Sequence, residues 1–452
     1  MRHGRVKETV RILVVGGGYV GMYTALRLQR RLRAGEAEVT VLTPDPYMTY
    51  QPFLAEAAAG SIAAAHVVVP LRSLLDRCTV IVGEAHRVDH ARRTVTASTL
   101  ATRYGGGGDI ELPYDELVLV PGSVSRTLPV PGLAEAGIGF KTMEEAIGLR
   151  NHVLHQLDIA STTRDVETRE AALTFLFVGG GFAGVNALAE LEDMARYATR
   201  YVHNITADDM RWILVEAADR ILPEVGATMS EYVVRELRGR NIDVRLGTRL
   251  DSCEKQTAVL DDGTVLPTRT VVWTAGVKPH PLLAGTDLPL TGAGRLKVTA
   301  TLQVDGTEHA WSAGDAAAVP DLAADPDGAT ACAPNAQHAV RQAKLLADNL
   351  VAGLRGAPQA QYRHAYVGSV ASLGLHKGVA HLYGRKLKGY PAWLMHRAFH
   401  LSRVPTFNRK ARVVADWTLA ALVKREVAAL GSLENPRAAF ESAARGDHPP
   451  QE

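Results

Sequence analysis

The sequence predicts an α/β fold in which two Rossmann-like dinucleotide-binding domains are followed by a C-terminal interface region. Three observations predict it. A strand, a glycine turn and a helix occur twice, at residues 11–32 and again at 173–202. The 452 residues are 46% hydrophobic and 22% charged, ordinary for a globular chain and long enough for about three domains. Residues 375–425 carry eleven Lys and Arg against one acid, Asp416, although the whole chain has a net charge of only +2.

The first unit runs from residues 11–15 (RILVV) into Gly16-Gly17-Gly18-Tyr19-Val20-Gly21 and a helix to residue 32; residues 38–42 (EVTVL) supply its next strand. Residues 94–103 and 111–120 read as strands joined by a glycine turn at 105–108. The second unit repeats the plan: residues 173–178 (LTFLFV), Gly179-Gly180-Gly181-Phe182-Ala183-Gly184, a helix to residue 202, and a strand at 211–216 (RWILVE). Short strands follow at 242–246, 257–260 and 270–274, divided by turns such as Asp261-Asp262-Gly263. Residues 311–315 (WSAGD) end another buried run, and an amphipathic helix covers 335–354.

Composition removes several classes. Cys78, Cys253 and Cys332 lie far apart, so they make neither a disulfide framework nor a metal set, and the expectation is a reducing, cytoplasmic compartment with no metal site. The opening residues, MRHGRVKETV, are polar and basic, with no secretory h-region. No stretch reaches the roughly 20 consecutive apolar residues of a membrane span. A net charge of +2 argues against nucleic acid as a partner.

The glycine turns carry the chemistry. In G-x-G-x-x-G the first glycine makes the tight turn, the second lets a pyrophosphate reach backbone N–H groups, and the third lets helix and strand pack closely. Gly16, Gly18 and Gly21 fill these roles in one unit, and Gly179, Gly181 and Gly184 in the other. Two copies in the right strand–helix context predict two bound dinucleotides. Glu216, closing the second strand of the second unit, would accept hydrogen bonds from a ribose and repel a 2′-phosphate, favouring NADH, with Arg220 nearby to soften the preference. In the first unit the same place holds Thr43, a neutral and weaker partner.

With residues 47–60 (YMTYQPFLAEAAAG), 117–126 (LVLVPGSVSR), 273–279 (WTAGVKP), 313–316 (AGDA) and 334–342 (PNAQHAVRQ), the turns form an ordered series. In this series the chain resembles the glutathione-reductase-like, two-dinucleotide flavoproteins, and most closely the type II NADH dehydrogenases, or NADH:quinone oxidoreductases. The resemblance covers residue 11 to about 430. It implies FAD and NADH as cofactors, an FAD-binding domain in two segments (8–165 and 286–360), an NAD(P)H-binding domain (166–285) and a membrane-docking or interface region (361–435); beyond it, residues 436–452, with Asp447, His448 and Pro449-Pro450, read as a disordered tail. It further implies that Asp315 accepts from the flavin's ribityl arm, and that Ala336 and Gln337 start a helix beneath the pyrimidine ring. Gln337 would also face the quinone, while Gln51, Gly122 and Gly276 line the cofactor site.

Two departures stand out. Related sequences place a glutamate where this chain has Asn186, which can orient a carbonyl but cannot shuttle a proton. No cysteine pair accompanies the first helix, as disulfide reductases and sulfide:quinone oxidoreductases would need, and Cys332 reads as a packing residue. The basic stretch interleaves Tyr390, Trp393, Leu394, Met395, Phe399, Phe407, Trp417, Leu419 and Leu422, a pattern suited to an anionic bilayer surface.

The implied reaction passes a hydride from NADH to FAD and two electrons on to a membrane quinone, menaquinone or ubiquinone, without ion pumping. Gln337, Asn186 and Lys377 are the expected catalytic residues, Lys377 by stabilising quinol charge or by contacting phospholipid. The chain would sit peripherally on the inner face of the cell membrane, with a homodimer left open. Two other readings stay open: a soluble NAD(P)H-dependent flavoprotein reducing another acceptor, and a low-turnover redox sensor.

Overall fold

A computed structural model describes residues 9–364, 368–382, 384–423 and 427–429. The first eight residues, Lys424, Arg425 and the predicted tail lie outside the described residues.

The first unit opens with β1 (Val10–Val15), α1 (Tyr19–Arg31) and β2 (Ala37–Thr43). After the short helix α2 (Leu54–Ala58) come β3 (Thr79–Asp89), β4 (Thr94–Thr99), β5 (Ile110–Pro113) and β6 (Glu116–Leu119). These strands and the edge strand Ala310–Trp311 make a seven-stranded sheet in the order Ala310–Trp311, β6, β1, β2, β3, β4, β5. Strands β6, β1, β2 and β3 run parallel, and Ile12, Leu13, Val14 and Val15 of β1 are buried, as expected of a strand covered on both faces.

Two expectations are corrected here. The strand predicted over residues 94–103 stops at Thr99, whose side chain caps a four-residue helix, Leu100–Arg103. The strand predicted over 111–120 is two strands on opposite sides of the sheet, parted at Tyr114 and Asp115. Asp115 accepts from the Arg11 backbone N–H at 2.8 Å and from its guanidinium, which fixes the break.

The second unit comprises β7 (Gly137–Gly139), α3 (Met143–Thr162), β8 (Thr174–Val178), α4 (Phe182–Ala198), β9 (Arg211–Glu216), α5 (Ala227–Arg238), β10 (Ile242–Leu246) and β11 (Thr270–Trp273). Its parallel sheet has the order β7-β11-β8-β9-β10. Strand β7 lies inside the segment assigned to the first domain, yet it pairs with β11 of the second sheet. Three residues, two of them glycine, carry no periodicity that could reveal this.

The chain then returns to the first unit. After β12 (Ala310–Trp311) the helix α6 (Ala336–Leu354) packs on α1, tied by Thr24 to the Ala343 carbonyl and by Arg27 to Asp348. The C-terminal region forms an antiparallel sheet, β13 (Gly368–Ser372), β14 (Gly378–Leu382) and β15 (Arg385–Lys388), followed by α7 (Gly389–Arg403) and α8 (Phe407–Leu422). Ala371, Leu373, Val379, Val404 and Val413 belong to the same apolar core as α2, α3 and α4. No helix among the described residues is long and apolar enough to cross a membrane.

The tryptophans of this region behave differently from the bilayer-facing role expected of them. Trp393 is 6% exposed, and the Arg397 guanidinium lies over the rings of Trp393 and Trp417, at 4.0 and 4.6 Å from their centroids. Trp417 donates to Glu56 and Asp416 pairs with His66, so these side chains join α7 and α8 to the first unit. Tyr390, Leu394, Phe407, Leu419 and Leu422 do remain exposed.

Candidate functional site

The two glycine turns are built alike. Gly16 has φ +112° and Gly179 φ +113°, a backbone that glycine alone adopts freely. A Cβ on Gly21 would stand 1.7 Å from the Gly16 carbonyl oxygen, and one on Gly184 2.0 Å from that of Gly179. The close approach of strand and helix therefore excludes any side chain. Gly18 and Gly181 differ. They cap α1 and α4, and a Cβ on either would meet nothing within 4 Å. That free space lies against the positive ends of helices of 13 and 17 residues, where a pyrophosphate can reach backbone donors. On this test both turns fit a dinucleotide.

Two cavities, of about 410 and 260 Å³, share Gly18, Tyr19, Gln51, Pro121 and Lys141 and so form one cleft. It lies beyond the carboxyl end of β1, as ligand crevices of open α/β sheets do. The smaller end holds Thr43, Asp45 and Glu84. The larger end is walled by Gly122, Asp315 and Ala336 from the first unit and by Ala183, Asn186 and Gly276 from the second.

The predicted ribose partners differ in what they offer. Glu216, at the end of β9, accepts from the N–H groups of Gly180 at 2.6 Å and Ala218 at 2.8 Å, and each carboxylate oxygen keeps a lone pair for a ribose hydroxyl. Thr43 is buried and its hydroxyl donates to the Asp45 carbonyl at 3.1 Å, so it has only acceptor capacity left. Carboxyl groups at this end come instead from Asp45 and Glu84. Burial, aided by the Glu144 charge, pushes the Asp45 carboxyl above its ordinary range.

Asp315 is held by a chain of polar groups. The Lys141 ammonium donates to the Ser123 hydroxyl at 3.0 Å, and that hydroxyl donates to Asp315 Oδ2 at 2.6 Å. Burial pushes the Lys141 amine below its ordinary range, against the pull of Asp315 and Glu145. Lys141 was not singled out from the sequence. A signal exists: Thr142 and Glu145 form a capping box, and the Glu145 carboxylate accepts from the Lys141 N–H at 2.6 Å, which places Lys141 at the mouth of α3. Tyr19 was also missed. Its hydroxyl is shielded from solvent, and burial holds its pKa well above the ordinary phenol value.

Asn186 lies in the cavity wall, and its Oδ1 is shielded from solvent with no partner among the described residues. A lone buried acceptor of this kind calls for a donor. Gln51 lines both ends of the cleft and donates to the Lys141 carbonyl at 3.3 Å. Gly122 and Gly276 line it with φ +79° and +95°.

Two expected residues are not brought to the cavity. Gln337 donates to the Gly368 carbonyl at 2.7 Å, linking α6 to β13, and does not line the cleft. Lys377 stands in the turn before β14 and pairs with Glu236 of α5 at 3.5 Å. Both are drawn to the contacts that dock the C-terminal sheet, which the order of residues does not disclose.

Comparison with known proteins agrees with this geometry. Residues 10–343 match the family description "Pyridine nucleotide-disulphide oxidoreductase". The chain is 27% identical over 432 residues to the type II NADH:quinone oxidoreductase Ndh of Mycobacterium tuberculosis, covering 92% of this chain and 89% of that one. It is 27% identical over 396 residues to the type II NADH:quinone oxidoreductase of Staphylococcus haemolyticus, covering 86% and 94%. Among solved structures, NDH2 from Plasmodium falciparum in complex with NADH superposes with a TM-score of 0.85 at 16% identity, covering 93% of this chain and all of that one.

Proposed function

The chain belongs to the pyridine nucleotide-disulphide oxidoreductase family, and within it we propose that it acts as a type II NADH:quinone oxidoreductase with FAD as its prosthetic group. The observation that carries this reading is that the first glycine turn, at Gly18, and the start of the helix after the second, at Ala183 and Asn186, line one cavity. A wall bearing Gly18, Gly122 and Asp315 faces a wall bearing Ala183, Asn186 and Gly276, so two dinucleotides can present their reactive rings to each other. The similarity to curated type II NADH:quinone oxidoreductases over most of the chain supports the same assignment.

Bound flavin supplies the two-electron chemistry between a nicotinamide and a quinone. The residues of the chain bind and orient. Backbone N–H groups at the starts of α1 and α4 hold the pyrophosphates. Asp315, positioned by Ser123 and Lys141, accepts from hydroxyls of the ribityl arm. The start of α6, at Ala336, favours negative charge at the adjoining ring. Glu216 accepts from the NADH ribose and repels a 2′-phosphate. Asn186 Oδ1 accepts from the nicotinamide carboxamide. Asparagine cannot release a proton, so the proton consumed with each hydride on quinol formation enters from solvent.

The quinone reaches the protein from lipid, without ion translocation. Exposed Tyr390, Leu394, Phe407 and Leu422 stand among Lys386, Lys410 and Arg412, giving an apolar and basic surface for an anionic monolayer. Steady-state NADH oxidation measured with and without a soluble menaquinone analogue tests the reading. The quinone should accelerate turnover; a rate indifferent to quinone would reject it.

A further inference from the structure

Asp321, Cys332 and His338 converge beside the first turn of α6. One donor atom from each lies within 4.8 Å of the other two. Cys332 and His338 are 5% and 6% exposed, and Asp321 is half-buried. We propose that this cluster is a Zn²⁺ site that staples the turn Pro334-Asn335-Ala336 against the cofactor cavity. This goes beyond the reading of Cys332 as a packing residue in a chain without metal.

The donors are set in place by backbone. Asp321 and Cys332 sit at the two ends of a loop closed by the Cys332 N–H to the Val319 carbonyl at 2.8 Å and by the bridge between Pro320 and Ala331. The Asp321 N–H also donates to the Thr330 carbonyl at 2.8 Å, so carboxylate and thiol share one rigid strip. His338 comes from the helix, and its ring is oriented by the Tyr362 hydroxyl, 2.8 Å from Nδ1.

A second observation points to a ligand. The His364 ring stands edge-on to that of His338, 6.1 Å between centroids, and its Nε2 is closed off from solvent with no hydrogen-bond partner among the described residues. Packing alone leaves that nitrogen uncompensated. The ring borders the cluster on the His338 side without being one of the three converging donors.

The chemistry selects the ion. One sulfur, one imidazole nitrogen and one carboxylate oxygen, with a coordination position left for water, make a borderline-soft, low-coordinate set that matches Zn²⁺. Mg²⁺ and Ca²⁺ need six or more oxygens, and the three converging side chains among the described residues include a single carboxylate. The consequence is local. Cys332 and His338 flank in sequence the residues Pro334, Asn335 and Ala336, which line the cavity, so an ion joining them holds both ends of that turn.

The test uses the full-length, flavin-loaded protein, stripped with a chelator and titrated with Zn²⁺ alone against a chromophoric competitor. One zinc should be retained per chain, and X-ray absorption should show a sulfur at about 2.3 Å with lighter donors at about 2.0–2.2 Å. Cys332→Ser and Asp321→Asn should each weaken binding at least tenfold, roughly the scale seen even for outer-shell changes. Should Cys332→Ser not fold, Asp321→Asn, on the loop, decides alone. Failure of the wild-type chain to retain zinc, unchanged affinity in Asp321→Asn, or a zinc environment without sulfur would each overturn the site.

Discussion

Trp417 of α8 donates its indole N–H at 2.7 Å to the carboxylate of Glu56 in α2, which also receives the Arg397 guanidinium at 3.2 Å. Glu56 is 1% exposed, and its helix neighbours Leu54 and Ala55 line the cofactor cavity. The C-terminal region is thus anchored one residue from the redox site. Replacing Glu56 by alanine strands a buried guanidinium, a loss of about 3–5 kcal/mol for a broken buried pair. Urea unfolding of Glu56→Ala should show it; a change below about 0.5 kcal/mol would mean that the joint contributes little.

The two kinds of glycine in each cradle should respond differently. Gly181 has φ −73° and open space at its missing Cβ, so Gly181→Ala should fold and retain flavin. Its methyl group occupies the approach of the NADH pyrophosphate, so KM for NADH should rise at least tenfold, about 1.4 kcal/mol. Gly184→Ala puts a methyl 2.0 Å from the Gly179 oxygen and should fail to fold its domain. Flavin content, circular dichroism and steady-state kinetics separate the two.

Glu216→Gln keeps the shape of the ribose-facing group and removes its charge. The ratio of kcat/KM for NADH over NADPH should fall by about tenfold, because repulsion of the 2′-phosphate is lost. An unchanged ratio would move coenzyme choice to another residue.

Acid sensitivity should trace in part to His400. Its imidazole is pushed down to about 3 by burial, with the Arg403 charge adding to the effect. Below its ordinary value of 6.5 the unfolded chain takes up a proton that the folded chain refuses, so this group makes stability fall as pH drops. From pH 6.5 to about pH 5 the loss amounts to about 2 kcal/mol. His400→Gln should lose about that much less than wild type over the same range, as read from urea midpoints; equal losses would show that His400 is protonated in the fold. Tyr50 reports the same locus, since its hydroxyl donates to the His400 carbonyl at 3.1 Å.

What could be read beforehand divides along physical lines. The glycine cradles, the strands flanking them and Glu216 were legible because steric exclusion and a terminal carboxylate leave a local signature. The pairing of Gly137–Gly139 with the second sheet was not, since so short a strand is defined by its partner rather than its own residues. Composition suggested that Trp393 and Trp417 face a bilayer, but an indole can equally pack under an arginine, and here Arg397 draws both inward. Gln337 follows the family pattern in sequence and Lys377 stands in the basic stretch, yet contacts to Gly368 and Glu236 turn both from the cavity. Lys141 was hidden because its neighbours Ser123 and Asp315 lie 18 and 174 residues away and meet it only in the fold.

Anaerobic stopped-flow absorbance on the purified chain goes to the heart of the matter. Mixing with NADH should bleach a bound flavin at least as fast as the enzyme turns over, and a second mixing with a menaquinone analogue should restore the oxidised spectrum equally fast. A chain that binds no flavin, or a reduced flavin that quinone leaves unchanged, would contradict the assignment.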